Sequence, residues 1–133
     1  MVKVPKISEA EWEVMKVLWK TSPKTANEIV EELTEKTRWK RETIRTLINR
    51  LVQKKALGFE KKGRQYHYFP RVTEAEGIKA EAESFVKRIG GGSIEPMLAA
   101  FVEEKELSAE KIERLMQILG EAEAAGEDNK TDK

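Results

Sequence analysis

Apolar positions recur at helical spacing in six segments of the chain, interrupted once by a stretch of different period. The first segment opens at Ser8, with Glu11 three residues on as a capping box, and carries Trp12, Met15 and Trp19 on a stripe widened by Val14 and Leu18. Ser22-Pro23 closes it. A second capping box, Thr25 with Glu28, opens a helix striped by Ala26, Ile29, Val30 and Leu33. Residues 34–40 are polar-dominated, include Trp39 and show no stripe. A third helix follows, with Ile44, Leu47, Ile48 and Leu51, and is predicted to end near Lys55. There the period changes. Residues 57–61 and 65–69 are short, aromatic-rich runs around Lys62-Gly63-Arg64, which predicts a β-hairpin stopped by Pro70. Three helices followed by a basic hairpin is the order of a winged helix-turn-helix.

Beyond the hairpin the pattern is helical again. Thr73 and Glu76 make a third capping box, ahead of a stripe of Ile78, Ala82, Phe85, Val86 and Ile89. Gly90-Gly91-Gly92 breaks that helix and acts as a hinge, because consecutive glycines carry a large backbone-entropy cost in a helix. Ser93 caps a helix with Ile94, Met97, Leu98, Phe101 and Val102 on one side, and Ser108 caps a last one with Ile112, Leu115, Met116 and Leu119. Residues 125–133 have no apolar pattern and read as a disordered tail. The expected fold is mainly α with a small β-hairpin: a winged helix-turn-helix over 1–72 and a three-helix dimerisation region over 73–124. Homodimers are the commonest oligomers, and a two-fold protein suits a two-fold DNA site.

Charge sharpens this division. The 133-residue chain is nearly neutral, with 25 Lys+Arg against 24 Asp+Glu, yet the first 72 residues are net basic and the remainder net acidic. Between Lys36 and Arg64 stand 11 Lys/Arg against only Glu42 and Glu60. The apolar stripe of the third helix leaves Arg41, Thr43, Arg45, Thr46, Asn49 and Arg50 for its other faces. Arg reads guanine bidentately, Asn reads adenine, and the Thr methyl meets the thymine methyl. Because the N-terminal part of a recognition helix meets base edges, Arg41, Thr43, Arg45, Thr46 and Asn49 are the candidate base readers, with Asn49 nearer the groove wall. Lys36, Arg38 and Lys40 ahead of the helix, Arg50 on it, and Lys61, Lys62 and Arg64 at the wing suit phosphates. The competing interpretation is a protein-interaction module whose basic face binds an acidic partner; Thr43, Thr46 and Asn49 beside arginines favour base reading.

Other chemistries lack parts. With no cysteine, one histidine (His67) and both aspartates, Asp128 and Asp132, in the tail, no catalytic triad, zinc site or calcium loop is expected. No phosphate loop or dinucleotide fingerprint is present, so neither an enzyme nor a cofactor is expected. There is also no apolar run long enough to insert in a membrane and no signal-peptide pattern, so a cytoplasmic location is expected.

The segment Ile7-Ser-Glu-Ala-Glu-Trp-Glu-Val-Met-Lys-Val-Leu-Trp19 resembles the opening of the penicillinase and methicillin-resistance repressor family. Thr43-Ile44, Arg50-Leu51, Lys55-Ala56-Leu57, Gly63-Arg64 and Tyr68-Phe69-Pro70 recur in the same order, and the similarity runs through Ser84-Phe85 and residues 98–119. The resemblance implies a homodimeric winged-helix repressor of antibiotic-resistance genes on a palindromic double-stranded operator. It also implies a membrane sensor-protease as partner and relief by proteolysis in the dimerisation region. The family's scissile bond joins an Asn to a Phe; the matching pair here is Ala100-Phe101, in which Phe101 matches and Ala100 departs.

Overall fold

The structure, a computed structural model, describes residues 4–90, 94–104 and 106–118. Its elements are α1 (Glu9–Lys20), β1 (Lys24–Thr25), α2 (Ala26–Lys36), α3 (Arg41–Gln53), β2 (Leu57–Lys62), β3 (Gln65–Pro70), α4 (Glu74–Ile89), α5 (Ile94–Glu103) and a last helix, α6, over 109–118. Gly91, Gly92, Ser93, Leu119 and the expected tail at 125–133 lie outside the described residues.

All three expected capping boxes form. The backbone N–H groups of Glu11, Glu28 and Glu76 donate to the hydroxyls of Ser8, Thr25 and Thr73, and each glutamate accepts in return from the N–H of its cap. Each box satisfies two of the orphan donors at a helix start, which is why these helices begin where they do. The same bonds act on the carboxyls. Those from Thr25 hold Glu28 below its ordinary value of 4.5, and those from Thr73 do the same for Glu76. At Glu11 burial pushes the carboxyl up, but hydrogen bonds from Lys54 and Ser8 outweigh it and the net direction is again down.

A carboxyl depressed on folding contributes stability that is complete above its unfolded value and is lost as pH falls through the folded one. Thermal midpoints are therefore expected to hold near neutrality and to drop as pH falls below about 4.5. Glu28→Gln, which keeps the cap but cannot titrate, should flatten part of that drop in a melting series across pH.

Met15, Leu18, Ile29, Leu33, Ile44, Ile48 and Leu51 are fully buried and form the centre of the core, which β2 and β3 close with Leu57 and Tyr68. The sheet has order β1-β3-β2 and is antiparallel throughout, with Lys24 opposite Tyr68, and Leu57 to Lys62 opposite Pro70 to Gln65. β1 was not expected from the pattern, since two residues cannot show an alternation and Thr25 reads as a helix cap. Two boundaries also shift. Helix α2 runs on through Thr34, Glu35 and Lys36, where Lys36 stands 3.4 Å from Glu32, and Lys62 belongs to β2. Gly63, at φ +66°, opens the two-residue turn, a position that favours glycine.

Trp12 and Trp19 lie only half-buried on α1, edge to face with centroids 5.1 Å apart. They form a platform for the start of α4. Trp19 Nε1 donates to the Val72 carbonyl at 2.8 Å, and Gly77 is buried against both rings. The packing residue of α4 is thus Gly77 and not the expected stripe, of which Ile78, Ala82 and Val86 are exposed. The chain divides into two compact units, Met1–Ser84 and Phe85–Lys133, with the division inside α4.

Candidate nucleic-acid interface

Burial of Ile44, Leu47, Ile48 and Leu51 sets the rotation of α3 about its axis. The opposite face is thereby turned to solvent, and Arg41, Thr43, Arg45, Thr46, Asn49 and Arg50 are all exposed. Thr46 Oγ1 donates to the Glu42 carbonyl at 3.0 Å, so its hydroxyl is engaged along the helix. Arg45 reaches back to α2, where its Nη2 donates to Asn27 Oδ1 at 2.8 Å. A hollow of about 190 Å³ lies there, lined by Thr25, Ala26, Asn27, Arg45, Gln65, Tyr66 and Tyr68. Burial pushes the Tyr68 phenol up from its ordinary value, Tyr66 adds to this, and the positive charge of Arg45 opposes both.

Basic side chains surround this face. Lys36 at the end of α2, and Arg38 and Lys40 between α2 and α3, are exposed, as are Lys61, Lys62 and Arg64 at the hairpin end. Trp39 is half-buried against the core, and its backbone N–H donates to Thr37 Oγ1, which itself donates to the Leu33 carbonyl. It therefore fixes the connection between α2 and α3. At the other end of α3, Lys54 pairs with the buried carboxylate of Glu11 and donates to the Lys6 carbonyl at 3.0 Å. The helix is held at both ends. Asn27 carries no local pattern that marks it as Arg45's partner, because the contact spans 18 residues between two helices.

The second set of candidate residues lies in the other unit. On α5, Met97 is half-buried, whereas Leu98 is 38% exposed, Phe101 41% and Val102 46%. On α6, Ile112 is half-buried and Leu115 and Met116 are exposed; Lys111 N donates to Ser108 Oγ, the expected cap. Ile94 opens α5, but its side chain is outside the described residues, as is Leu119. Ala100 and Phe101 are both exposed within α5. Ile118, absent from the expected set, is also exposed and lines a hollow with Leu107, Lys111, Arg114 and Leu115. Among the described residues no group of His, Asp or Glu is placed to hold a metal, and no helix is long and apolar enough to cross a membrane.

A helix pair whose second member turns a basic, polar face to solvent beside a three-stranded wing defines a winged helix-turn-helix DNA-binding protein. The chain belongs to the penicillinase repressor family, whose profile matches residues 7–121. It is 42% identical over 121 residues to the penicillinase repressor of Bacillus licheniformis, an alignment covering 91% of this chain and 94% of that one. It is 35% identical over 117 residues to the methicillin resistance regulatory protein MecI of Staphylococcus aureus, covering 88% and 95%. Among solved structures, the DNA-binding domain of the repressor BlaI superposes with a TM-score of 0.52 at 45% identity. The monomeric form of B. licheniformis BlaI in complex with the blaP half-operator gives 0.51 at 45% identity. Each covers 57% of this chain and 93% of the other.

Proposed function

We propose that this chain is a sequence-specific transcriptional repressor, not an enzyme, that acts in the cytoplasm as a homodimer on a palindromic operator. The observation that carries this is the α3 face, where Arg41, Thr43, Arg45, Thr46 and Asn49 all stand free of the core in a chain that, over 57% of its length, is 45% identical to the BlaI monomeric form solved with a half-operator. Those five side chains read bases, and Lys36, Arg38, Lys40, Arg50, Lys61, Lys62 and Arg64 contact phosphates. Residues 73–124 supply dimerisation through Ile94, Met97, Leu98, Phe101 and Val102 of α5 and through Ile112, Leu115, Met116 and Leu119. Relief comes from cutting the Ala100–Phe101 bond, on the action of a membrane sensor-protease. That cut separates Phe101 and Val102 from Met97 and Leu98, splitting one apolar stripe.

Binding of the full chain to palindromic and scrambled duplexes across a salt series tests the reading. One palindrome should be preferred by roughly 10³-fold or more, with a steep salt slope. Arg45→Ala should erode the preference, whereas Lys61→Ala should weaken all duplexes alike and lower the slope by about one. Equal binding to every duplex, with both variants losing the same amount, would mean that the face matches charge without reading bases.

A further inference from the structure

Arg45 and Asn27 come from different helices and meet at the surface, away from the core, so packing does not dictate their contact. Building on the repressor function above, we propose that Asn27 is a specificity-determining positioning residue: its amide oxygen anchors one guanidinium nitrogen of Arg45 and thereby aims the remaining donors at a single base pair of the operator.

Three observations support the assignment. The Nη2 to Oδ1 distance of 2.8 Å is that of a well-formed hydrogen bond. An arginine has five N–H donors and bidentate reading of guanine uses two, so a donation to Asn27 leaves the reading edge intact. The hollow beside the pair is walled on the wing side by Gln65, Tyr66 and Tyr68, which limits the volume into which the guanidinium can swing. Asn27 is the second residue of α2, near a helix start where partial positive charge disfavours a cation, and its oxygen is the acceptor that makes the position tenable.

The energetic consequence follows from solvation. In the free protein both groups are exposed, and a bond between them competes with water. Beneath a bound duplex water is displaced, the local dielectric falls and the same bond strengthens. A long side chain already held in its reading geometry also loses less rotamer freedom on binding. Anchoring therefore acts on discrimination at Arg45's base pair, not on general affinity.

The test uses the full chain and a duplex selected by it from a randomised library, with each base pair then substituted in turn. Arg45→Ala should flatten the preference at one base pair of each half-site. Asn27→Ala should lower discrimination at that same pair about five- to tenfold, leave the other positions and the salt slope unchanged, and add nothing in the Arg45→Ala background. Asn27→Asp keeps an acceptor at the same place, so it should restore the discrimination while its charge weakens binding to every duplex. A uniform loss with Asn27→Ala and a shallower salt slope would overturn the proposal and make Asn27 a phosphate contact. Additivity with Arg45→Ala would overturn it as well. If Arg45→Ala leaves every base preference intact, base reading by Arg45 itself fails, an outcome separable because it appears before Asn27 is touched.

Discussion

Phe101→Glu is expected to leave the protein monomeric and to lower its affinity for a two-half-site duplex by about 10²–10⁴-fold, while affinity for one half-site stays nearly unchanged. Leu98, Phe101 and Val102 stand at i, i+3 and i+4 on α5, more than a third exposed each. A large aromatic at the centre of such a face contributes about 1.5–3 kcal/mol when covered. A carboxylate in its place removes that and adds the cost of desolvating a charge with no partner. Once the two copies separate, the second half-site is no longer engaged intramolecularly, and the effective concentration supplied by the tether disappears.

The readouts for that variant are independent of one another. Sedimentation reports the oligomeric state, and duplex titration reports the affinity. Trp12, Trp19 and Trp39, the only tryptophans, all belong to the first unit, so their fluorescence follows the melting of that unit alone. An unchanged tryptophan melt with a monomeric chain is the expected pair of results. A Phe101→Glu protein that still sediments as a dimer would show that α5 does not form the interface. The same logic bears on the proposed cleavage of the Ala100–Phe101 bond: that bond lies inside helix α5, so a protease that binds extended chain would first need it locally unwound.

Local rules carried much of this architecture. The three capping boxes each pair a hydroxyl with a glutamate three residues on, and all three form the reciprocal bonds that such spacing predicts. The α3 stripe, Ile44, Leu47, Ile48 and Leu51, assigns the polar face by exclusion, which is why the solvent-exposed face of that helix was legible from the chain alone. What stayed hidden depends on distant partners. Thr25 is at once a cap and half of a two-residue strand whose mate, His67, lies 42 positions away. Trp12 and Trp19 stand on the apolar stripe of α1 by their spacing and pack half-buried against the core, but the platform they make is for a glycine that no periodicity selects. Along α4 the spacing shows that one side is apolar. It does not show what covers that side, and Ile78 and Val86 are exposed in the single chain.

That platform carries the second large expected effect. Gly77→Leu should destabilise the first unit by about 1–3 kcal/mol, read as a lower tryptophan melting midpoint, through overpacking of a filled site. A Cβ at Gly77 would lie 3.1 Å from Trp19 Cη2 and 3.3 Å from Trp12 Cη2, and the rest of a leucine would extend into the rings. Trp19 cannot simply swing aside, because its indole N–H is committed to the Val72 carbonyl one residue before the Thr73 cap. The start of α4 must therefore tilt. At about 1.5 Å per residue, Ser84, the last residue of the first unit, lies about 10 Å along the helix from Gly77, so a tilt of about 10° displaces it by about 2 Å. A single half-site does not sense this displacement, but two half-sites a fixed number of base pairs apart do. Gly77→Leu is thus expected to weaken paired half-sites more than a lone one, with α3 itself intact. Equal loss on both duplexes would show that the platform stabilises the winged unit without setting the geometry of the helix that leaves it.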